Sequence, residues 1–173
     1  MGRRFRGEHT QKVDAKGRVS IPASFRKVIE QSDPDWVEGR AATLIIVYGA
    51  ANPRVNRNFL ECYTVEAMEQ IDALIDKMPR GSEDRKIAED FFSSKAEEVT
   101  VDGSGRLILQ KKLRDKIGID GDDMMVFKAS GDTFQVWRET VYLAEQEQTM
   151  SRIYDALPEG TDPLSVLDKY QGL

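Results

Sequence analysis

Two short strings hold the residues with the most evident chemistry: Asp14-Ala15-Lys16-Gly17-Arg18 and Asp102-Gly103-Ser104-Gly105-Arg106 share the pattern Asp-x-x-Gly-Arg. An Asp at the start of a tight turn can close it through its carboxylate, and a Gly near the end takes a left-handed backbone at no steric cost. The arginine that follows can be oriented by the Asp, offering paired donors suited to a guanine edge, while a flexible lysine in the turn suits a phosphate. Average composition predicts roughly 0.04 such strings by chance in a chain this long. A hairpin merely stabilised by an Asp–Arg pair is the plainer reading of one copy alone. Position favours the anion-facing reading, because Lys16 lies inside the first turn and Arg3, Arg4 and Arg6 are near it in sequence.

Other chemistry is thin. Ser24-Phe25-Arg26-Lys27 matches the Ser-x-x-Lys string of serine acyltransferases, but no Ser-Asp-Asn or Lys-Thr-Gly partner string is present. Gly103-Ser104-Gly105 lacks the third glycine of a dinucleotide loop. His9 and Cys62 are each the single residue of their type, too few for a usual zinc site, and Asp120, Asp122 and Asp123 lack the spacing and distal Glu of a calcium loop. The latter three read as a solvated acidic turn. The expectation is a protein that is not an enzyme, with no catalytic residue, metal or cofactor.

The elements that must position the two strings follow from periodicity and punctuation. Residues 11–13 and 18–21 read as strands around the first turn, and Pro22 opens a helix over 23–31 with Phe25, Val28 and Ile29 on one face. Strands are expected at 43–48 and 59–63, joined by a connection containing Gly, Pro and Asn. Helices follow at 65–77, capped by Thr64, and at 82–93. Shifting residues 9–26 by 88 positions superposes Val13 on Val101, Asp14 on Asp102, Gly17 on Gly105, Arg18 on Arg106 and Arg26 on Arg114. The second copy continues with a helix at 111–117, strands at 124–128 and 133–137, and a helix at 138–148. Two copies in one chain can do what a dimer does.

The chain of 173 residues has a formal charge of -5, with 40% hydrophobic and 32% charged residues. That is a globular composition, and the longest mainly apolar run, residues 41–51, is far short of the ~20 needed to span a bilayer as a helix. The opening lacks the pattern of a secretory leader and Cys62 is the single cysteine, so a cytoplasmic protein without disulfides or a membrane partner is expected. The average charge hides an asymmetry: residues 1–27 carry +6 and the remaining 146 carry -11. One end is suited to anions while the rest repels nonspecific contact, unless the basic end is only a solvated tail.

The run Phe5-Arg6-Gly7-Glu8 through Asp14-Ala15-Lys16-Gly17-Arg18-Val19-Ser20-Ile21-Pro22-Ala23, with Phe25-Arg26, resembles the opening of the MraZ family of bacterial transcriptional regulators. The second copy, with Asp102, Gly105, Arg106, Leu107, Ile108 and then Phe134 to Trp137, resembles that family's second half, so the likeness spans about residues 5–140. Gln110 stands where the first copy has Pro22, and Gly103-Ser104 replaces Ala15-Lys16.

The resemblance implies an α+β fold of two AbrB-like halves, a swapped-hairpin or double-psi β-barrel formed as an intrachain pseudo-dimer with flanking helices. Its parts would be a first SpoVT-AbrB-like domain at 5–64, connecting helices at 65–94, a second such domain at 95–140, and a C-terminal helix and tail at 141–173. It further implies a ring-shaped homo-oligomer, cytoplasmic and nucleoid-associated. That assembly would bind tandem repeats in double-stranded promoter DNA of the division and cell-wall gene cluster, its own gene included, usually as a repressor. Carried over by position, Asp14, Arg18, Asp102 and Arg106 form the DNA-binding face. Arg18 and Arg106 are then expected to approach bases, and Asp14, Gly17, Asp102 and Gly105 to shape the corners. Lys16, Arg6, Arg3 and Arg4 are expected to neutralise phosphates, and the less basic second corner to contribute less. The alternative is an AbrB-like antitoxin or oligomeric interaction protein. Leu143 and Ile153 read either as core or as assembly surface, and the polar stretch 158–173 as a partly disordered tail.

Overall fold

Interleaving of the two sequence copies is the main feature of the fold. The computed structural model describes residues 3–49, 52, 54 and 57–173, and part of the connection between the middle strands of the first copy lies outside them. The first copy supplies β1 (Glu8–Lys12), β2 (Arg18–Ser20), α1 (Ala23–Gln31), β3 (Ala42–Val47) and β4 (Phe59–Thr64). Next come α2 (Val65–Asp76) and α3 (Glu83–Glu89), which runs on as a π-helical turn over Asp90–Ser94. The second copy gives β5 (Ala96–Val101), β6 (Arg106–Ile108), α4 (Lys111–Lys116), β7 (Met124–Ser130) and β8 (Thr133–Arg138).

The eight strands form one antiparallel sheet in the order β1-β7-β8-β4-β3-β5-β6-β2. Its ends meet at the first corner, where Asp14 N–H donates to Arg18 O at 3.0 Å, so the sheet is a nearly closed barrel. Exchanging every strand for its counterpart in the other copy reproduces the same cyclic order. The copies are thus related by a pseudo-twofold axis through the β2–β6 and β4–β8 pairs. Neither copy builds the barrel alone: β1 is zipped along β7, with Glu8 opposite Lys128 and Lys12 opposite Met124, and β3 is zipped along β5. This α+β, nearly closed barrel of interleaved copies fits the expected AbrB-like swapped-hairpin arrangement, and its closure removes exposed edges that would invite aggregation. Strands of both copies are woven into one compact unit, Met1–Glu139.

Long-range pairing explains where local reading and structure differ. The first strand starts at Glu8 rather than residue 11 because Glu8, His9 and Thr10 find partners in β7, while Val13 lies beyond the strand, fully buried in the corner. The expected helix at 82–93 changes to π geometry midway. There Lys95 N–H reaches Asp90 O at 2.9 Å, and the extra residue lets adjacent Phe91 and Phe92 both lean on a cluster of Val47, Tyr63, Ala67 and Met68. Thr64 caps α2 as expected, its hydroxyl accepting from Ala67 N–H at 3.1 Å.

The main core fills the barrel. Leu44, Ile46, Leu60, Phe127 and Phe134 are fully buried, and Phe5, Phe25 and Phe134 meet with ring centroids 4.9 to 5.1 Å apart. Edge-on packing of Phe5 on Phe25 and Phe134 adds to the area term. Because Phe5 is in this cluster and its N–H donates to Gly131 O at 2.8 Å, the basic N-terminal arm is anchored rather than a loose solvated tail. The second unit, Thr140–Leu173, contains a π-helical turn at Tyr142–Gln146, then α5 (Glu147–Asp155) and α6 (Ser165–Asp168). Leu143 and Ile153 are 53% and 50% exposed, so the core reading of them does not hold. The stretch 158–173 is not featureless: Ser165 N–H donates to Asp162 O at 2.9 Å ahead of α6. Among the described residues no helix is long and apolar enough to cross a membrane, and no group of three or more His, Cys, Asp or Glu is placed to hold a metal ion.

Candidate nucleic-acid interface

Each Asp-x-x-Gly-Arg string folds into the same corner. Asp14 Oδ1 accepts from Lys16 N–H and Arg18 N–H, both at 2.9 Å, and Gly17 N–H donates to Asp14 O at 2.9 Å. In the second copy Asp102 Oδ1 accepts from Ser104 N–H at 2.8 Å and Arg106 N–H at 3.0 Å, and Gly105 N–H donates to Asp102 O at 2.9 Å. Both glycines need the left-handed backbone, with φ of +82° at Gly17 and +79° at Gly105. These bonds reward the ionised carboxylates. The Arg18 backbone N–H, then the Arg18 side chain, holds Asp14 below the usual carboxylate range, and Asp102 is lowered by the Arg106 backbone N–H first and then by Ser104.

The corners meet across the barrel. Ile21 N–H donates to Gly105 O and Leu109 N–H to Gly17 O, both at 2.8 Å, tying each copy's second strand to the other's corner. Between them β2 and β6 pair with Arg18 opposite Ile108, Val19 opposite Leu107 and Ser20 opposite Arg106. Strand alternation sends Val19 and Leu107 into the core and leaves Arg18, Ser20, Arg106 and Ile108 on one outward face. Arg18 and Arg106, 88 positions apart in sequence, line one shallow depression with Lys12, Asp14, Val19 and Ser20.

The two arginines are not equivalent. Arg18 Nε donates to Asp14 Oδ2 at 2.6 Å, which fixes the guanidinium plane and leaves the terminal NH2 groups for a ligand. Arg106 has no side-chain hydrogen bond or ion pair among the described residues, and Asp102 engages only its backbone. Glu98 stands with Arg106 and Ile108 along a groove beside the second corner, whereas Lys12 flanks the first. Lys112, counted in sequence with the second corner, is engaged by Glu97 and lies over the Tyr48 ring.

Lys16 is exposed at the tip of the first corner. Arg3, Arg4 and Arg6 are exposed too but are not brought to the corner: they flank Phe5, whose N–H meets Gly131 O at the β7–β8 turn, at the opposite end of β1 from Asp14. Sequence reasoning missed Lys12, Ser20 and Ile108; for Ser20 and Ile108 the signal was alternation with the buried Val19 and Leu107, and for Lys12 its charge two residues before Asp14. It also read the Asp120 to Asp123 turn as merely solvated. That turn supports the first corner: Asp122 N–H donates to Val13 O at 3.0 Å, a Cβ on Gly121 would lie 3.1 Å from Ala15 Cα, and Asp122 is 3.8 Å from Lys12 Nζ.

Fold and face together define a class, the two-copy β-barrel presenting a matched pair of Asp-Arg corners. A family model described as "MraZ protein, putative antitoxin-like" matches residues 4–49. The chain is 51% identical over 168 residues to a transcriptional regulator MraZ of Ruegeria sp. (strain TM1040), with 97% of each chain covered. It is 49% identical to the protein of the same name from Ruegeria pomeroyi, again with 97% of each covered. The solution structure of PHS018 from Pyrococcus horikoshii overlaps at a TM-score of 0.30 and 16% identity, over 76% of this chain and 91% of that one. The chain belongs to the MraZ family, whose curated members bear the name of transcriptional regulators.

Proposed function

We propose that this transcriptional regulator binds double-stranded promoter DNA through the outward face of the β2–β6 ribbon and its two corners. The observation that carries this reading is the meeting of Arg18 and Arg106 on one exposed surface astride the pseudo-twofold axis. A two-stranded ribbon fits the major groove, arginine donors match the O6 and N7 of guanine, and Ile108 offers an apolar contact to a thymine methyl. Lys16 and Lys12 face phosphates beside the first corner, and Arg3, Arg4 and Arg6 serve phosphates one strand length away. Asp14, Gly17, Asp102 and Gly105 hold the corners in shape.

The targets are tandem repeats upstream of the division and cell-wall gene cluster that includes its own gene, where it acts as a repressor on the nucleoid. A ring-shaped homo-oligomer, with Leu143 and Ile153 as assembly surface, would engage several repeats at once, so modest affinity per barrel sums to tight binding.

Footprinting on DNA upstream of the protein's own gene, read with its salt dependence, tests the proposal. Evenly spaced protected repeats are expected. Arg18→Ala should weaken binding by roughly 5- to 150-fold, as loss of a bidentate base contact does. Arg106→Ala should cost less, and Lys16→Ala should weaken all sequences alike and flatten the salt dependence by about one unit of slope. Uniform weak binding, or unchanged affinity in both arginine variants, refutes the assignment.

A further inference from the structure

Each corner is held by an arginine from the helix of the other copy. Arg26 of α1 donates from Nη2 to Gly103 O in the second corner at 2.5 Å, while Glu30 Oε1 holds its Nε at 2.7 Å. Arg114 of α4 donates from Nη1 to Ala15 O in the first corner at 3.4 Å. The glycines complete the match: a Cβ on Gly105 would lie 3.1 Å from Arg26 Cδ, and one on Gly17 3.0 Å from Arg114 Nε. Arg26 is eight residues from Arg18 in sequence, yet it serves Arg106.

The two braces differ in stiffness. The 88-residue shift that aligns Arg26 with Arg114 puts Gly118 where the first copy has Glu30. Arg114 Nε is accordingly buried with no hydrogen-bond partner among the described residues, and its contact to Ala15 is the longer one. A guanidinium tied at both ends keeps its target carbonyl in one place, whereas one tied weakly at one end lets the carbonyl move.

We propose that Arg26 and Arg114 are positioning residues acting crosswise, Arg26 setting the second corner that carries Arg106 and Arg114 setting the first corner that carries Arg18, with the Arg26 brace the stiffer. The consequence for binding rests on the DNA reading above, while the bracing itself does not. It explains how the weakly charged second corner serves recognition: Arg106 lacks a side-chain clamp from Asp102, so its placement depends on the backbone that Arg26 steadies.

The test has two arms on the full-length protein. In the free protein, Arg26→Gln should shift the amide resonances of Ser104, Gly105 and Arg106 and speed their hydrogen exchange, with Lys16, Gly17 and Arg18 unmoved. Arg114→Gln should do the reverse, and Arg26→Lys, which keeps the charge and a donor, should recover part of the protection. With promoter DNA, Arg26→Gln should weaken binding by about three- to tenfold, in line with one lost hydrogen bond. Its effect should be non-additive with Arg106→Ala and additive with Arg18→Ala. Amide changes in Arg26→Gln confined to residues 16–18 or equal at both corners overturn the proposal. So does unchanged amide protection with a salt slope lower by about one, which would make Arg26 a direct phosphate contact. Crosswise amide changes in variants that bind no DNA at all would uphold the bracing and sink the DNA reading instead.

Discussion

Replacing Gly17 with alanine isolates how tightly the two copies are joined at the corner. Gly17 has a φ of +82°, and an added Cβ would lie 2.3 Å from the Leu109 carbonyl oxygen, a backbone atom that cannot swing aside. The left-handed backbone alone costs an L-residue about 1–2 kcal/mol. Relief of the overlap adds about 1–3 kcal/mol of packing strain, and moving the strand endangers the Leu109 N–H to Gly17 O bond, worth about 1 kcal/mol. The expected total is about 3–6 kcal/mol, which for a chain of this size lowers Tm by about 6–24 °C. Three other glycines separate these contributions. Gly39 shares the positive φ, at +84°, with open space around it, so Gly39→Ala should lose about 2–8 °C. Gly105, also left-handed, would meet only the flexible Arg26 side chain and should fall between Gly39 and Gly17. Gly103 has neither constraint, and alanine there should leave Tm unchanged or slightly raised. Thermal unfolding followed by far-ultraviolet circular dichroism reads the series. A Gly17→Ala protein that melts with Gly39→Ala would refute the claim that the corner is wedged against the other copy.

Asp14 and Asp102 carry folded-state pKa values below the ordinary carboxylate value, so their contribution to stability is complete above about pH 4 and is lost as pH falls through the lowered values. Acid unfolding of the Asp14→Asn, Asp102→Asn double variant should therefore depend less steeply on pH below about 4, and an unaltered slope would show that the corners contribute nothing there. Cys62 is fully buried and its thiol is pushed well up by that burial, with nearby Glu61 adding to the effect. A thiol reagent should label it only at the rate of unfolding, and fast labelling of native protein would contradict the core placement. Thr64→Ala removes the hydroxyl that caps α2 at Ala67 and should cost about 1 kcal/mol, about 2–4 °C in Tm; no change would mean that Ala67 N–H finds another acceptor.

Much of the fold was readable locally. Helix α1 runs over Ala23–Gln31 as its apolar spacing and Pro22 predict, and the matched strings at Asp14 and Asp102 announced the repeat and both corners. These features are encoded within a few residues, by a turn that needs Gly and a carboxylate, or by a 3.6-residue period. The start of β1 was misplaced because Glu8, His9 and Thr10 are strand only by virtue of β7, more than a hundred residues later. The π-helical turn at Asp90–Ser94 was hidden for the same reason, since Phe91 and Phe92 answer to a cluster on β3, β4 and α2.

The candidate site divides along the same line. The sequence by itself determined the residue types, the repeat, and a charge of +6 over residues 1–27 inside a chain of -5. Only the tertiary structure decided which of those charges act together. Closure of the barrel around a pseudo-twofold axis put Arg18 and Arg106 on one face, sent Arg3, Arg4 and Arg6 to the other end of β1, and laid the Asp120 to Asp123 turn against the first corner. Local sequence specifies turns and faces through short-range sterics, but which faces coincide is set by strand pairing between distant segments, and that pairing is chosen by burial of a shared core.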